Sequence, residues 1–276
     1  MQNIPKCCIV GLAGVLFFSS YVLSQTRQPD QNVSGGVSDL YDKLVTTGPG
    51  GPAPRQDLTG FWAGRVAQKI NEVPPLTPLG QKQFATHKNQ SKYIVAESND
   101  PMKNCDPLGF PRNMLFQTRG IALAQMPGRI LELFQYNKVW REIWTDGREL
   151  PKNVGGRSAD APDPRWYGYS VGHWDGDYSF VVDTVGSDDR SWLDTAGHPH
   201  SVDMRVQERY TRLNHNTLEM TITVDDPKAY TKSFVITTSQ FKWIPNQELR
   251  EEICVPSVMQ EYLSIIGDPA GESSAK

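Results

Sequence analysis

The sequence predicts a mostly β protein, an antiparallel up-and-down meander closed into a barrel, with a few short helices. Three observations predict it. Turn signals (MPGR, DG, WDGD, LNHN, IPNQ) punctuate the chain at short intervals, and short runs between such signals read as strands. In the last third, Met204, Val206, Glu208 and Tyr210 alternate with Arg205, Gln207, Arg209 and Thr211, and Leu218, Met220, Ile222 and Val224 alternate with Thr217, Glu219, Thr221 and Thr223. One apolar and one wet face per strand is the pattern of an antiparallel sheet. Finally, about nine successive strands would leave exposed edges unless the sheet closes on itself. A flat sandwich is the alternative. The expected strands cover 120–125, 129–136, 139–145, 170–174, 178–185, 202–213, 217–224, 232–243 and 248–255.

Ahead of the strands come three other segments. Residues 1–24 have the layout of a secretory signal peptide: Lys6, an apolar run over 7–23, then Val22 and Ser24 at the minus-three and minus-one positions of a cut before Gln25. That run of 17 residues is at the short limit for crossing a bilayer, so an uncleaved anchor is the rival reading. Cys7 and Cys8 stand at the start of the run, which argues against a lipoprotein signal. Cleavage removes one lysine and takes the formal charge from −3 to −4. Neither value suits a polyanion, so nucleic acid is not an expected partner. No membrane span is expected after cleavage, and the expected location is secreted or periplasmic.

Residues 25–56 are rich in Gly, Gln, Ser and Pro and cannot bury enough apolar surface to offset their ordering entropy, so they read as a flexible leader, with a short helix possible over 38–45. A single folded domain is expected over 57–276, starting at DLTGFWAG. In PPLTPLGQKQFATHK, Thr77 suits an N-cap and Pro78 the first helical position. Cleavage leaves two cysteines, Cys105 and Cys254. In an oxidising compartment they can pair and close a long loop; two unrelated buried thiols are the alternative.

The blocks NCDPLGFPR (104–112), VWREIWTDGRELP (139–151), DPRWYGYSVGHWDGDYSFVVDT (163–184), DDRSWLDTAGHPHS (188–201), RVQERYTRL (205–213), DDPKAYTK (225–232) and REEICVP (250–256) resemble those of a large group of secreted bacterial proteins. The resemblance assigns no catalytic residue. GFW near the domain start, with the meander after it, is loosely similar to lipocalin-like barrels, which implies a cup with an internal ligand cavity.

Chemistry centres on DTAGHPHSVD, which holds two of the chain's five histidines. In an extended segment, residues two apart point to one face about 6.5 Å apart. Pro199 biases His198 towards extended conformations, so His198 and His200 are expected to project together. Such a pair can form part of a zinc site with Asp194, Asp203 or Glu208, move protons or bind ligand without metal, or fill a polar corner. Glu208 shares an apolar face. A buried carboxyl has a raised pKa suited to acid–base work, but it can equally be salt-bridged to an arginine inside the barrel, or face outward after a one-residue register slip.

Trp166, Tyr167, Tyr169 and Trp192 are candidates for the wall of a ligand pocket, or ordinary core residues. Asp189 and Arg112 are candidate ligand contacts; the alternatives are loop-shaping roles. There is no G-x-S-x-G elbow, phosphate loop, dinucleotide fingerprint or H-E-x-x-H. The expectation is a small-molecule-binding barrel with a His/Glu acid–base site for a small cyclic or aromatic substrate, in a lyase, isomerase or hydrolase reaction. The alternatives are a non-catalytic carrier of an apolar ligand and a metal-dependent hydrolase. The sequence names no cofactor and no oligomeric state.

Overall fold

Nine strands form one closed sheet: β1 (Gly60–Gly64), β2 (Ile121–Met126), β3 (Arg129–Phe134), β4 (Trp140–Trp144), β5 (Tyr169–Asp175), β6 (Ser179–Val185), β7 (Arg205–Asn214), β8 (Thr217–Asp225) and β9 (Phe234–Trp243). Each pairs with the next, and β9 returns to β1 through Trp62↔Trp243 and Gly64↔Phe241. All pairs are antiparallel except β4–β5, joined in parallel at Ile143↔Ser170 and Trp144↔Val171. A parallel pair needs a long crossover, which residues 145–168 supply in place of a hairpin. The computed structural model describes residues 44–64, 66–67, 69–89, 96–116 and 120–267. The expected signal peptide, the expected leader up to residue 43 and positions 38–43 of its expected helix lie outside them. No helix among the described residues is long and apolar enough to cross a membrane.

The expected strand at 248–255 is not one. It makes a single bridge, Tyr136↔Glu252, because β9 already closes on β1 and no free edge remains. The ninth strand is instead the short GFWAG of β1, whose identity comes from pairing on both sides. Residues 44–56 are not a free leader. They lie along the barrel, with Thr46 N donating to Trp243 O (3.2 Å) and Gln56 N to Asp177 O (2.6 Å), and Arg55 paired to Asp177 at 2.8 Å.

The alternation places Val206, Glu208, Tyr210 and Arg212 of β7 inside, facing Leu218, Met220, Ile222 and Val224 of β8; all are at most 4 % exposed. Full burial of each such apolar side chain stabilises by about 1.5–3 kcal/mol. From β3, β4 and β6 come Ile130, Glu132, Phe134, Arg141, Ile143, Phe180 and Val182, all buried. Phe110 and helix α2 (Arg112–Leu115) complete the core, with Phe110, Met114 and Leu115 unexposed. Helix α1 (Pro78–Phe84) is capped as expected, Thr77 Oγ1 accepting from Gly80 N at 3.1 Å.

Cys105 caps a 3-10 turn (Pro101–Asn104) and is disulfide-bonded to Cys254, 149 residues away. Helix α3 (Pro256–Gly267), which no periodic pattern announced, follows directly. The disulfide thus ties the loop carrying Phe110 to the segment that precedes α3.

Candidate functional site

Residues 187–203 join β6 to β7 and fold on their own side chains. The Asp194 carboxylate accepts from Ala196 N (3.0 Å) and His198 N (3.2 Å), and from Ile70 N (2.9 Å) outside the loop. An Asp side chain bonding the backbone just ahead of it is the local signature of such turns. Its Oδ2 also lies 2.8 Å from His198 Nδ1, with the His198 side chain 13 % exposed and that of Asp194 fully buried. Burial works to raise the Asp194 pKa, but the bonds from His198 and the backbone hold it below the usual carboxylate range. An ionised acceptor fixes the imidazole proton on Nδ1 and leaves the Nε2 lone pair as a base.

Aromatic rings set the orientation of that imidazole. Phe84 of α1 stacks on His198 at 5.2 Å and 3°. Beside it His87 stacks on Trp192 at 4.6 Å, and its Nδ1 donates to Gly197 O at 2.6 Å. Burial lowers the His87 pKa against the pull of that carbonyl. Gly197 has φ 85°, and a β-carbon there would lie 3.2 Å from His87 Cβ, so the close approach of the loop to His87, three residues past α1, needs glycine. His87 and His198 thus flank one corner, each with Nδ1 engaged.

His200 does not join them, contrary to the expected common face. It is 1 % exposed, with Nε2 2.9 Å from Ser191 Oγ and Nδ1 3.3 Å from Ser201 O. Burial lowers its pKa, opposed by the Ser201 bond and by Asp226, Asp189 and Asp188. The Gly109 backbone covers Ser191; a β-carbon at Gly109 would collide with the serine hydroxyl. The two histidines diverge because Asp194 and Ser191 each hold one of them. Pro199 O is anchored between them by Tyr230 Oη at 2.7 Å.

Glu208 lies in the barrel interior, in the register the alternation predicted. It meets an arginine there, as one of the alternatives held. Arg141 Nη2 donates to both Glu208 oxygens at 2.6 Å, and Arg141 Nε to Glu132 Oε2 at 2.6 Å. Tyr210 Oη lies 2.6 Å from Glu208 Oε1 and 2.9 Å from Glu132 Oε1. The Phe110 ring covers the guanidinium at 3.9 Å. Burial and the Glu132 charge push the Glu208 carboxyl up to about 7, against the pull of Arg141. Among the described residues, the hydrogen-bond partners of Glu208 are Arg141 and Tyr210, and neither histidine of the loop is one of them.

The remaining candidates scatter. Trp192 is in the corner. Arg112 is spent on Asp100, with Nη1 and Nη2 bonding its two oxygens at 2.8 and 2.5 Å, while its guanidinium lies 5.6 Å from the Trp192 ring. Trp166 carries Arg190 over its ring at 4.3 Å. Tyr167 packs on the core beside Phe134, and burial raises its pKa. Tyr169 donates to Asp163 O at 2.8 Å under Arg165. Asp189 is exposed, while its neighbour Asp188 takes Arg190 at 2.6 Å.

Among the described residues, no group of three or more His, Cys, Asp or Glu side chains is arranged to hold a metal ion. Sequence reasoning missed His87, which reaches the corner from 110 positions away. It also missed the partners of Glu208. Glu132 was findable, because it sits between Ile130 and Phe134 on the apolar face of RILELF, opposite Arg141. No family model, curated protein or solved structure matches this chain.

Proposed function

We propose that this protein is a secreted barrel that binds a small cyclic or aromatic molecule at the corner between α1 and residues 187–203 and moves protons on it through His198. The carrying observation is the Nδ1 of His198 held 2.8 Å from a buried, ionised Asp194. An imidazole fixed in one tautomer by a carboxylate is the arrangement of a general base. The half-buried Phe84, and His87 stacked on the buried Trp192, offer aromatic surface beside it, suited to a ring-shaped ligand. The burial of Glu132, Phe180, Val182, Tyr210, Met220 and Ile222 favours this corner over the barrel interior as the binding place. Glu208 falls outside the acid–base role in this reading. The Cys105–Cys254 disulfide supports an oxidising destination.

The test is a ligand-observed NMR screen of small lactones, cyclic enones and phenols against residues 25–276, followed by turnover assays on every binder. Binding and turnover by the wild-type protein are expected, with His198→Ala still folding but losing turnover. Binders unaffected by both His198→Ala and Phe84→Ala would sink the reading. Loss of affinity in Phe84→Ala, with no turnover by any protein, would make the corner a carrier site.

A further inference from the structure

We infer that the barrel interior binds one exchangeable proton, shared between Glu132 and Glu208, and that the folded barrel is stabilised by holding it. The inference is independent of the corner at His198. It follows from counting hydrogens. Tyr210 Oη contacts an oxygen of each carboxyl, at 2.6 Å from Glu208 and 2.9 Å from Glu132, yet a phenol donates one hydrogen. When that hydrogen goes to one carboxylate, the other contact is a hydrogen bond only if the second carboxyl carries a proton and donates to the phenol oxygen. Two ionised carboxylates would instead set an anionic oxygen against a lone pair with no water between them.

Charge leads to the same count. Glu132 on β3, Arg141 on β4, Glu208 and Tyr210 on β7 are the ionisable groups that meet here. Ser170 of β5 and Thr184 of β6 bond one another at 2.8 Å and stand 3.4 and 3.5 Å from Arg141 Nη1, and the Phe110 ring closes the last side. None of those three adds charge. One guanidinium faces two carboxyl groups, and no second cation bonds either of them among the described residues. With Glu132 and Glu208 both at 0 % exposure, an unbalanced negative charge would be costly. Protonation of one carboxyl makes the cluster neutral; its deprotonation releases the proton to solvent and leaves one net negative charge in the core.

The consequence has a definite sign. The folded state keeps a proton that an unfolded glutamate, of ordinary pKa 4.5, gives up. Stability from this group is therefore complete in acid and is lost as pH rises from about 5 to about 7, the range over which the folded cluster alone is protonated. One proton of difference lowers the folding equilibrium constant by up to about tenfold per pH unit in that range. The half-buried His87 and the buried His200, whose pKa values are lowered by burial, act in the opposite direction, so the comparison must be made between proteins that share them.

The experiment is urea unfolding of wild-type protein and E208Q at pH 5, 6, 7 and 8, with infrared spectra of the folded wild type over the same range. The amide of E208Q donates permanently where the proton did. We expect the wild-type folding constant to fall relative to that of E208Q by tenfold or more between pH 5 and 7. The wild type should also show a buried protonated-carboxyl stretch that is lost near pH 7. Parallel pH profiles for the two proteins, or no such stretch at pH 6, would overturn the inference. Where E208Q fails to fold, E132Q replaces it, and the infrared result on the wild type alone decides.

Discussion

Two of the clusters of ionisable side chains among the described residues are solved in opposite ways. In the barrel interior, Glu132, Arg141, Glu208 and Tyr210 answer one another with no exposure beyond Arg141's few per cent. In the corner at residues 187–203, Asp194 is as deeply buried, but its partner His198 keeps 13 % of its side chain in contact with solvent. The interior group is closed upon itself and can only be structural or titrate as a unit. Among the described residues the corner leaves the other imidazole nitrogen of His198 without a hydrogen-bond partner beside aromatic surface, and chemistry with an outside molecule needs that. A perturbed carboxyl inside an apolar face is thus a weaker guide to an active site than a partly reachable base with a buried orienter.

The comparison can be broken from either side. The largest expected effect is Arg141→Met, which leaves two buried carboxyls without their cation; loss of one member of a buried pair costs about 3–5 kcal/mol, read by urea unfolding at pH 7. The loss should shrink at pH 5, where protonation of the carboxyls relieves it; equal losses at both pH values would mean that the interior charges do not govern stability. Next is Cys105→Ser with Cys254→Ser. It frees the loop carrying the Phe110 lid and should lower stability by about 2–4 kcal/mol, with faster hydrogen exchange at residues 108–115 than in β8.

Asp194→Asn addresses the corner. It retains the shape but weakens bonds from three backbone amides and the imidazole, and a loss of about 1–3 kcal/mol is expected. Turnover of any substrate found for His198 should fall much further than stability does, since the tautomer is no longer fixed. A fall in stability alone would make the dyad a turn-builder. The smallest effect concerns His200. Its lowered folded pKa means that stability is complete above the ordinary value of 6.5 and declines as pH falls below it. His200→Gln should flatten the acid limb of the thermal midpoint between pH 6.5 and 5; an unchanged limb would mean that burial of His200 does not govern it.

The legible parts of this protein were those governed by local periodicity. The faces of β7 and β8 were readable because side chains alternate along a strand, so Glu208 could be placed inside with its possible arginine from β7 alone. Thr77 and Pro78 marked the start of α1 for a similarly local reason. The segment 248–255 misled because its composition suits a strand, whereas strand formation requires a free edge and β1 had taken it. His198 and His200 misled in the same manner. Spacing set their separation, but the partners Asp194 and Ser191 decided their directions.

By itself, the sequence determined a closed, mostly β barrel with one capped helix near its start, two cysteines able to pair, and an inventory of candidate groups. The strand faces and the helix cap follow from interactions within a few residues, where chain geometry leaves few choices, and closure was expected from the number of successive strands, whose edges would otherwise stay open. Only the tertiary structure decided which groups meet: that Arg141 from one hairpin joins Glu132 and Glu208, that His87 bonds the backbone of Gly197, and that His200 is buried against Ser191. Those contacts depend on the order and register of strands far apart in the chain, and the closure of the sheet sets both together.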